Sequence, residues 1–295
     1  MISLRERLKQ PDVIVADGAM GTMLFQLGLK PGECPERMNL EHSEVLEDIA
    51  RQYLDAGAEI IQTNTFGGSP LKLAMYSLDN KTEEINTQAV RAVRKIVGEN
   101  AYVAASCGPS GKLLKPFGDT SAEVLFESFK RQIRILIQEG VDLICIETMT
   151  DLTEASIAVK AARSISSSIP ISATMTFDET PKGFFTIMGV SIEQAAKGLA
   201  DAGADILGSN CGNGIANMIK IAEEFKKQTT LAIIIRSNAG LPILKDGIAI
   251  FPETSEFMAE KGRKLFKTGV KIIGGCCGTT PEHIAAIKKM VSQRA

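Results

Sequence analysis

The sequence predicts an α/β fold, namely a (β/α)8 or TIM barrel that forms a single domain over residues 1–295. Three observations favour this class. Short apolar, β-branched runs alternate with stretches of helical periodicity along the chain. The runs are continuously hydrophobic, as in parallel strands whose two faces are both covered by helices. Eight such runs occur, which favours a closed barrel over an open sheet, and no composition shift marks a second domain.

The predicted strands share an apolar centre and end in a small, polar or glycine-containing segment. In chain order they are Val13–Ala19, Glu59–Phe66, Ala101–Pro109, Leu143–Met149, Ile171–Phe177, Ile206–Cys211, Leu231–Gly240 and Val270–Gly278. Helical periodicity predicts helices between them, among them Glu44–Ala56, Thr82–Val97, Ala122–Gln138, Leu152–Ser164, Ser191–Ala202 and Asn217–Lys227.

Glycines mark the points where predicted helices stop before the next strand. Gly57 and Gly203 lie in repeated Asp-Ala-Gly-Ala segments ahead of the second and sixth strands. Gly140 and Gly269 hold the same place ahead of the fourth and eighth strands. Glycine ends helices because it adopts the left-handed backbone conformation without strain. The repeated pattern therefore supports a regular succession of strand and helix units.

Composition and charge exclude several classes of function. The 33 basic and 35 acidic residues leave a net charge of −2, and no basic run is interleaved with aromatic residues, so we expect no nucleic-acid partner. Residues 1–7 resemble an amphipathic helix and not a signal peptide. No segment approaches the roughly 18 consecutive apolar residues of a membrane span. We therefore expect a cytoplasmic protein, in which clustered cysteines are metal ligands or reactive thiols and not disulfides.

Candidate functional residues lie at the ends of the predicted strands, because barrel active sites form at the carboxyl ends. These ends are polar and rich in sulfur. They read Asp17–Thr22, Thr63–Phe66, Ser106–Pro109, Glu147–Thr148, Thr174–Thr176, Ser209–Gly212, Ser237–Gly240 and Gly275–Gly278.

Cysteines give the strongest signal at these ends. Cys211 ends the sixth strand and the pair Cys276 and Cys277 ends the eighth, so the three thiols can converge on the barrel mouth. Neighbouring side chains share a metal only where a strand becomes irregular, and we expect Gly274, Gly275 and Gly278 to give that freedom. Three thiolates with one open position make a catalytic zinc site. The alternative is that these cysteines pack as small apolar residues.

Other strand-end residues have two interpretations each. Asp17 and Glu147 can face a cationic group such as a substrate ammonium, or they can cap a turn or pair with a barrel arginine. Gly18 and Gly21 let the backbone approach a ligand, and exposed amides in such a turn can bind a carboxylate.

The remaining cysteines and both histidines suggest structural roles. We expect Cys34, Cys107 and Cys145 to be packing residues, with a minor chance for Cys107 to line the pocket. His42 and His283 lie on helical or capping segments, which disfavours acid–base chemistry by histidine.

Taken together, these motifs resemble those of the homocysteine S-methyltransferase family, and specifically the homocysteine-binding barrel of cobalamin-dependent methionine synthases. The matching segments extend over nearly the whole chain. They are Asp17–Thr22, Thr63–Gly67, Gly108–Pro109, Ile146–Thr148, Met175–Phe177, Asn210–Cys211, Asn238–Gly240 and Gly274–Pro281.

The resemblance implies a role for each matching site residue. It implies that Cys211, Cys276 and Cys277 bind one zinc ion per chain. It also implies that a set of substrate-binding residues orients homocysteine or a similar small thiol: Asp17, Gly18, Ala19, Met20, Gly21, Glu147, Asn210 and Asn238. Within this set the two carboxylates face the amino-acid end, the amides near Ala19 to Gly21 face its carboxylate, and Asn238 approaches the zinc when no thiol is bound. The pair Arg236-Ser237 departs from the family, where an acidic or aromatic residue followed by proline is common.

The resemblance further implies zinc-dependent methyl transfer to the homocysteine thiol, forming methionine by direct attack of the sulfur on an activated methyl group. We expect the donor to be a methylated corrinoid on a separate protein, because the eight units occupy the chain from Val13 to Met290. Segments Gly67–Pro70, Pro109–Asp119 and Leu241–Ile250 are expected to form its docking rim. S-methylmethionine, S-adenosylmethionine and betaine are alternative donors, and another small thiol is an alternative acceptor; the absence of tryptophan weakens the case for betaine.

Two hypotheses from other classes remain at this point. A phosphate-binding barrel enzyme would use the glycine-rich segment before a helix that begins near Pro281. A non-catalytic zinc module would hold a metal with no open coordination position.

Overall fold

The structure is a computed structural model that describes residues 1–245 and 248–293. Eight parallel strands form one sheet in it. In chain order they are β1 (Ile14–Val15), β2 (Ile60–Gln62), β3 (Tyr102–Cys107), β4 (Leu143–Met149), β5 (Ile171–Met175), β6 (Ile206–Asn210), β7 (Ala232–Ser237) and β8 (Ile272–Gly275). From β2 to β8 each strand pairs with its neighbour in sequence, and β8 pairs with β1, which confirms the predicted (β/α)8 barrel.

The seam between β1 and β2 closes the barrel without a regular ladder. A single parallel bridge joins Ala16 to Ile60. Two backbone hydrogen bonds accompany it, from Glu59 N to Val15 O at 2.7 Å and from Asp17 N to Ile60 O at 3.0 Å. The sheet is therefore continuous around the barrel, but it is least regular at this seam.

The strands are covered on both faces, as their continuous hydrophobicity predicts. Inward-facing residues such as Ile14, Ile60 and Ile272 fill the barrel interior, which Leu4 packs against. Their neighbours Val15 and Ile61 face outward into the core between strands and helices. The alternation follows from strand geometry, in which successive side chains point to opposite faces.

Helices surround the barrel and connect its strands. They are α1 (Leu4–Lys9), α2 (Met20–Gln26), α3 (Met38–Glu41), α4 (Ser43–Asp55), α5 (Pro70–Leu73), α6 (Thr82–Val97), α7 (Ala122–Gln138), α8 (Leu152–Ile165), α9 (Ile192–Ala202), α10 (Ile215–Gln228), α11 (Ser255–Thr268) and α12 (Pro281–Ser292). Short 3-10 turns occur at Pro35–Arg37, Ala74–Tyr76 and Asp79–Lys81. Among the described residues, no helix is both long enough and apolar enough to cross a membrane.

The predicted helix stops are confirmed by the backbone. Gly57, Gly140, Gly203 and Gly269 all have positive φ, between 80° and 107°. Each lies between a helix and the strand that follows it, where a residue with a β-carbon would be strained.

Two small hairpins project from the loops at the carboxyl ends of the barrel strands. Asp178–Thr180 pairs with Gly183–Phe185 after β5. Ile243–Lys245 pairs with Ile248–Ile250 after β7. These additions lengthen the loops on the side of the barrel where an active site is expected.

Candidate active site

A cavity of about 250 Å³ opens among the carboxyl ends of the strands. Its walls come from the ends of β2, β3, β4, β6 and β7 and from the segments that follow β1, β2, β6 and β8. Residues that line it include Ala19, Met20, Gly21, Thr22, Glu36, Gln62, Phe66, Ser106, Glu147, Thr148, Asn210, Cys211, Arg236, Cys276 and Cys277. Residues distant in sequence therefore meet at the end of the barrel predicted to carry the chemistry.

The three cysteines at the ends of β6 and β8 converge in this cavity. The sulfur atoms of Cys211, Cys276 and Cys277 all lie within 4.8 Å of one another. The Sγ atoms of Cys211 and Cys277 are 3.8 Å apart. A tetrahedral centre with zinc–sulfur bonds of about 2.3 Å has sulfur–sulfur edges of roughly 3.8 Å. The spacing of this pair therefore fits two ligands of one tetrahedral metal ion.

Irregular backbone directs the three thiols toward each other. Cys211 follows β6 with φ of 60°, a left-handed conformation that non-glycine residues rarely adopt. Cys276 and Cys277 lie just beyond the end of β8, in a turn where Gly278 has φ of 80°. Because the chain has left the strand, neighbouring side chains no longer have to point to opposite faces.

Gly274 and Gly275 are small enough to avoid steric clashes, but they do not adopt the special backbone conformation that the sequence led us to expect. Both remain within β8. A β-carbon on Gly274 would lie 2.9 Å from the β-carbon of Ala16, and one on Gly275 would lie 2.2 Å from Oγ1 of Thr279. These glycines therefore permit close packing beneath the cysteine turn, while the special backbone conformation belongs to Gly278.

The three thiols share protons as one unit. Hydrogen bonds from the Cys276 and Cys277 side chains lower the pKa of Cys211 to about 3. The same interaction with Cys211 raises the pKa of Cys276 to about 11 and that of Cys277 well above its ordinary value. In the metal-free protein at neutral pH, one thiolate is thus held by two thiols.

Glu147 presents a buried carboxylate to the cavity. Its Oε2 accepts a hydrogen bond of 2.9 Å from Gln62 Nε2, and its Oε1 accepts one from the hydroxyl of Ser106. Burial raises the pKa of Glu147, although the charge of Arg236 opposes this effect. Hydrogen bonds from Gln62 and Ser106 therefore hold the carboxylate at the cavity wall.

Asp17 lies behind the cavity wall and does not line it. Only 2% of its surface is exposed. Its Oδ1 accepts a 2.7 Å hydrogen bond from Arg236 Nη2, and its Oδ2 accepts one of 2.7 Å from the backbone N–H of Gln62. Asp17 is thus paired with a barrel arginine, which is one of the two interpretations that its sequence position allows.

The segment after β1 contributes backbone to the cavity. Ala19, Met20 and Gly21 line it, whereas Gly18 lies behind them. A β-carbon on Gly18 would lie 2.8 Å from both the hydroxyl of Tyr53 and Oγ1 of Thr279, so this glycine permits close packing.

Two asparagines lie close to the cysteine cluster. Asn210 lines the cavity, and its Nδ2 contacts the sulfur of Cys276 at 3.8 Å. Asn238 lies outside the cavity lining, but its side chain helps to lower the pKa of Cys211. The buried Oδ1 of Asn238 has no hydrogen-bond partner among the described residues. A buried oxygen without a partner is costly, so this one is available to a further ligand beside the thiols.

The remaining cysteines and histidines lie outside the cluster. Cys34, Cys107 and Cys145 are buried, and none of them lines the described cavity. His283 forms a capping box with Thr280 at the start of α12 and hydrogen-bonds the Glu253 carbonyl at 3.0 Å. This capping uses the helix N-terminus that a phosphate-binding enzyme would require.

The sequence did not identify several polar side chains of the cavity as site residues. Gln62, Ser106 and Arg236 line it, although Ser106 lies in a predicted strand end. The hydrogen bonds that hold Glu147 and Asp17 depend on pairing between distant strands. The one available signal was the unusual Arg236-Ser237 pair at the end of β7.

The sequence is similar to known proteins along almost its whole length. The sequence profile described as homocysteine S-methyltransferase matches residues 14–291. Methionine synthases from Mycobacterium leprae and Mycobacterium tuberculosis are each 30% identical to the chain over 95% of its length. The matched regions make up 24% and 25% of those proteins, so the chain spans about a quarter of the length of these curated relatives.

Solved structures share the architecture. The metallated form of the homocysteine methyltransferase MmuM from Escherichia coli superposes with a TM-score of 0.80 and 23% identity, covering 97% of this chain and 99% of that one. The apo form of the same protein gives a TM-score of 0.74 with 22% identity, covering 96% and 97%. These similarities show the same barrel fold.

Proposed function

The chain belongs to the homocysteine S-methyltransferase family and is accordingly a methyltransferase, and from this premise we propose that it methylates the thiol of homocysteine to form methionine with one bound zinc ion. The convergence of Cys211, Cys276 and Cys277 within 4.8 Å at the barrel mouth is the observation that carries the proposal. Sulfur ligands suit zinc, a borderline-soft ion, better than magnesium or calcium.

Two features of the site and one solved structure of a similar protein support a bound metal. The Sγ atoms of Cys211 and Cys277 have the separation of two vertices of a zinc–thiolate tetrahedron. The buried Oδ1 of Asn238 has no partner among the described residues, and the same side chain helps to lower the pKa of Cys211. The E. coli relative MmuM has been solved in a metallated form. With three protein ligands, one coordination position stays open for a substrate, which distinguishes a catalytic site from a closed structural one.

The chain's own residues would hold the reactants in place. When bound, zinc would stabilise the substrate sulfur as a thiolate at neutral pH, where a free thiol of pKa about 8.5 is mostly protonated. Asn210 Nδ2 contacts the sulfur of Cys276, and Glu147, which lines the cavity, would face the substrate ammonium. The thiol proton leaves to solvent, and a bond forms between sulfur and the methyl carbon as the bond from that carbon to its donor breaks.

We propose a methylated corrinoid, bound outside the barrel, as the methyl donor. The curated relatives are methionine synthases, and the chain matches about a quarter of each. Apolar side chains exposed around the mouth supply a docking surface, since exposed apolar patches commonly mark interaction sites. They include Leu113 and Phe117 after β3, Ile187 and Met188 after β5, and Leu241, Ile243, Leu244 and Ile250 after β7.

The expected docking rim differs in part from this surface. Within Pro109–Asp119, Phe117 is 83% exposed. In Leu241–Ile250 the apolar side chains named above are exposed, while Asp246 and Gly247 lie outside the described residues. The segment Gly67–Pro70 is instead largely buried, because Ser69 caps α5 there and Glu36 accepts a hydrogen bond from Gly67 N. The loop after β5, which the sequence did not suggest, joins the surface.

The proposal is tested by incubating zinc-loaded protein with homocysteine and one donor at a time. The donors are a methylated corrinoid protein, S-methylmethionine, S-adenosylmethionine and betaine, with methionine measured as product and corrinoid absorbance followed by stopped flow. We expect methionine formation and a cobalt-state change with the corrinoid. Methionine from S-methylmethionine or S-adenosylmethionine alone would overturn the donor assignment. A zinc-loaded protein that forms no methionine with any donor would overturn the proposed activity.

A further inference from the structure

Arg236 places a buried positive charge at the wall of the cavity. Only 4% of its surface is exposed, and its side chain lines the cavity beside Glu147 and Cys276. Burial opposes its charged form, but the carboxylates of Asp17 and Glu147 raise the pKa of Arg236 above its ordinary value. The guanidinium is therefore a permanent cation at the site.

The hydrogen bonds of Arg236 leave part of its guanidinium unused. Nε donates to the carbonyl of Gly275 at 3.0 Å. Nη2 donates to Asp17 Oδ1 at 2.7 Å and to the backbone carbonyls of Asp17 and Gly18 at 3.3 and 3.2 Å. Nη1 makes no hydrogen bond with any residue that the structure describes. A guanidinium carries five N–H donors, so the two on Nη1 remain for a ligand.

The same pairing removes Asp17 from the substrate. Both of its carboxylate oxygens are engaged, by Arg236 and by the backbone of Gln62, and it does not line the cavity. A substrate ammonium therefore cannot contact Asp17 without displacing a buried ion pair. Asp17 acts through Arg236, as a positioning residue.

The acidic side chains that do line the cavity are held by other groups. Glu147 accepts hydrogen bonds from Gln62 and Ser106. Glu36 accepts from the backbone of Gly67 and from Cys34. Only Arg236 thus combines a full charge with donors that have no protein partner among the described residues. Leaving such donors unpaired in a filled, desolvated site is unfavourable, and an anionic group would satisfy them.

We propose that Arg236 binds an acidic group of the thiol substrate, so that the site selects small thiols bearing a carboxylate whether or not they also bear an amino group. The inference rests on the proposed function and specifies its substrate class. Homocysteine satisfies it through its own carboxylate, which the two N–H donors of Nη1 can contact with charge-assisted hydrogen bonds. Its ammonium group then faces Glu147.

Calorimetric titration of zinc-loaded protein without any methyl donor tests this inference. The ligands are homocysteine, 4-mercaptobutyrate, which lacks only the amino group, and 3-aminopropane-1-thiol, which lacks only the carboxylate. We expect 3-aminopropane-1-thiol to bind at least about tenfold more weakly than homocysteine, since a hydrogen bond to a charged group is worth about a tenfold change or more, and we expect 4-mercaptobutyrate to bind without its amino group. Equal binding of homocysteine and 3-aminopropane-1-thiol would overturn the proposal.

Substitutions identify the side chain responsible. In Arg236→Gln we expect 4-mercaptobutyrate to lose about tenfold in affinity while 3-aminopropane-1-thiol changes little, with partial recovery in Arg236→Lys. Because Arg236→Gln leaves Asp17 as an unpaired buried charge, the double variant Asp17→Asn with Arg236→Gln repeats the measurement without that charge. Arg91→Gln, on the exposed surface of α6, is the matched control.

The outcomes separate this inference from the proposed function. Equal weakening of both analogues in a folded Arg236 variant would overturn the role of Arg236. Selective loss of 4-mercaptobutyrate binding in Arg236→Gln would support the role of Arg236. If the zinc-loaded wild-type protein also transferred no methyl group from any donor, the proposed activity would be overturned while the role of Arg236 stood. Failure of zinc-loaded wild-type protein to bind any of the three thiols would overturn both.

Discussion

Cys276 is partly buried just beyond the end of β8, and its loss should remove the metal without unfolding the barrel. We expect Cys276→Ala to abolish the retention of about one zinc ion per chain, because two thiolates hold zinc less well than three. Metal analysis after dialysis, with circular dichroism as the folding check, measures this. Cys34→Ala, outside the cluster, should keep its zinc. Stoichiometric zinc in single variants of Cys211, Cys276 and Cys277 would contradict the assignment.

The shared protons of the cluster predict how zinc binding depends on pH. The lowered pKa of Cys211 makes it a thiolate at neutral pH, whereas the raised pKa values of Cys276 and Cys277 keep these thiols protonated. Metal ligands must be deprotonated, so zinc should displace about two protons near pH 7 and bind more tightly as pH rises. Calorimetry in buffers of different ionisation enthalpy counts the protons. A release of none would show that the cluster is not the ligand set.

Glu147 should distinguish thiols by their amino group, because it is the acidic side chain assigned to the substrate ammonium. We expect Glu147→Gln to weaken homocysteine binding about tenfold and to leave 4-mercaptobutyrate almost unaffected. The amide can still accept a hydrogen bond from Ser106 or Gln62, so the fold should persist. Titration of zinc-loaded protein compares the two ligands. Similar losses for both would indicate that this carboxylate is structural.

Sequence reasoning located residues that meet at the cavity better than it located the contacts between them. Cys211, Cys276, Cys277 and Glu147 were recognisable because they end apolar runs, and strand ends converge in a barrel. The pairing of Arg236 with Asp17 joins β7 to β1 across the barrel, and no local spacing encodes such a contact. The sequence left an arginine partner open for Asp17, but it could not say which arginine.

At the scale of elements, helices were predicted more closely than strands. The bounds Thr82–Val97 and Ala122–Gln138 coincide with α6 and α7, since an apolar stripe fixes the length of a helix. β1 spans only Ile14–Val15, although Val13–Ala19 was predicted. The apolar character continues after the ladder ends because the chain remains buried where it turns into the cavity wall. The sequence reveals which residues are buried but not which residues pair between strands. The end of the buried segment therefore differs from the end of the strand.

The close packing at the end of β8 should be sensitive to one added methyl group. Gly275→Ala would place a β-carbon 2.2 Å from Oγ1 of Thr279, which itself hydrogen-bonds the carbonyl of Cys276. We expect a fall of about 1–3 kcal/mol in the free energy of unfolding and weaker zinc binding. Denaturant titration and metal competition measure the two effects. Gly262→Ala on α11, which meets only the flexible end of Met290, is the control; equal behaviour of both variants would contradict the packing argument.

At the scale of the whole molecule, the exposed apolar side chains around the mouth should matter for the donor and not for the acceptor. We expect Phe117→Asp to lower kcat/KM for a methylated corrinoid protein about tenfold, because a charge would have to be desolvated in the contact. Thiol affinity should be unchanged. Val124→Asp, on the exposed side of α7, is the control. An unchanged rate in Phe117→Asp would place the donor elsewhere.

The hydrogen bonds of Asp17 also have an architectural consequence. Its Oδ2 accepts from Gln62 N on β2, while its Oδ1 holds Arg236 on β7. The carboxylate thus connects β2 and β7 to the chain that follows β1, and it adds a link across the seam where β1 and β2 share only one bridge. A related barrel that acts on a different thiol would still need an acidic residue at this position, because Asp17 joins parts of the barrel. Loss of activity on replacing Asp17 would therefore measure closure of the cylinder as much as recognition of a substrate.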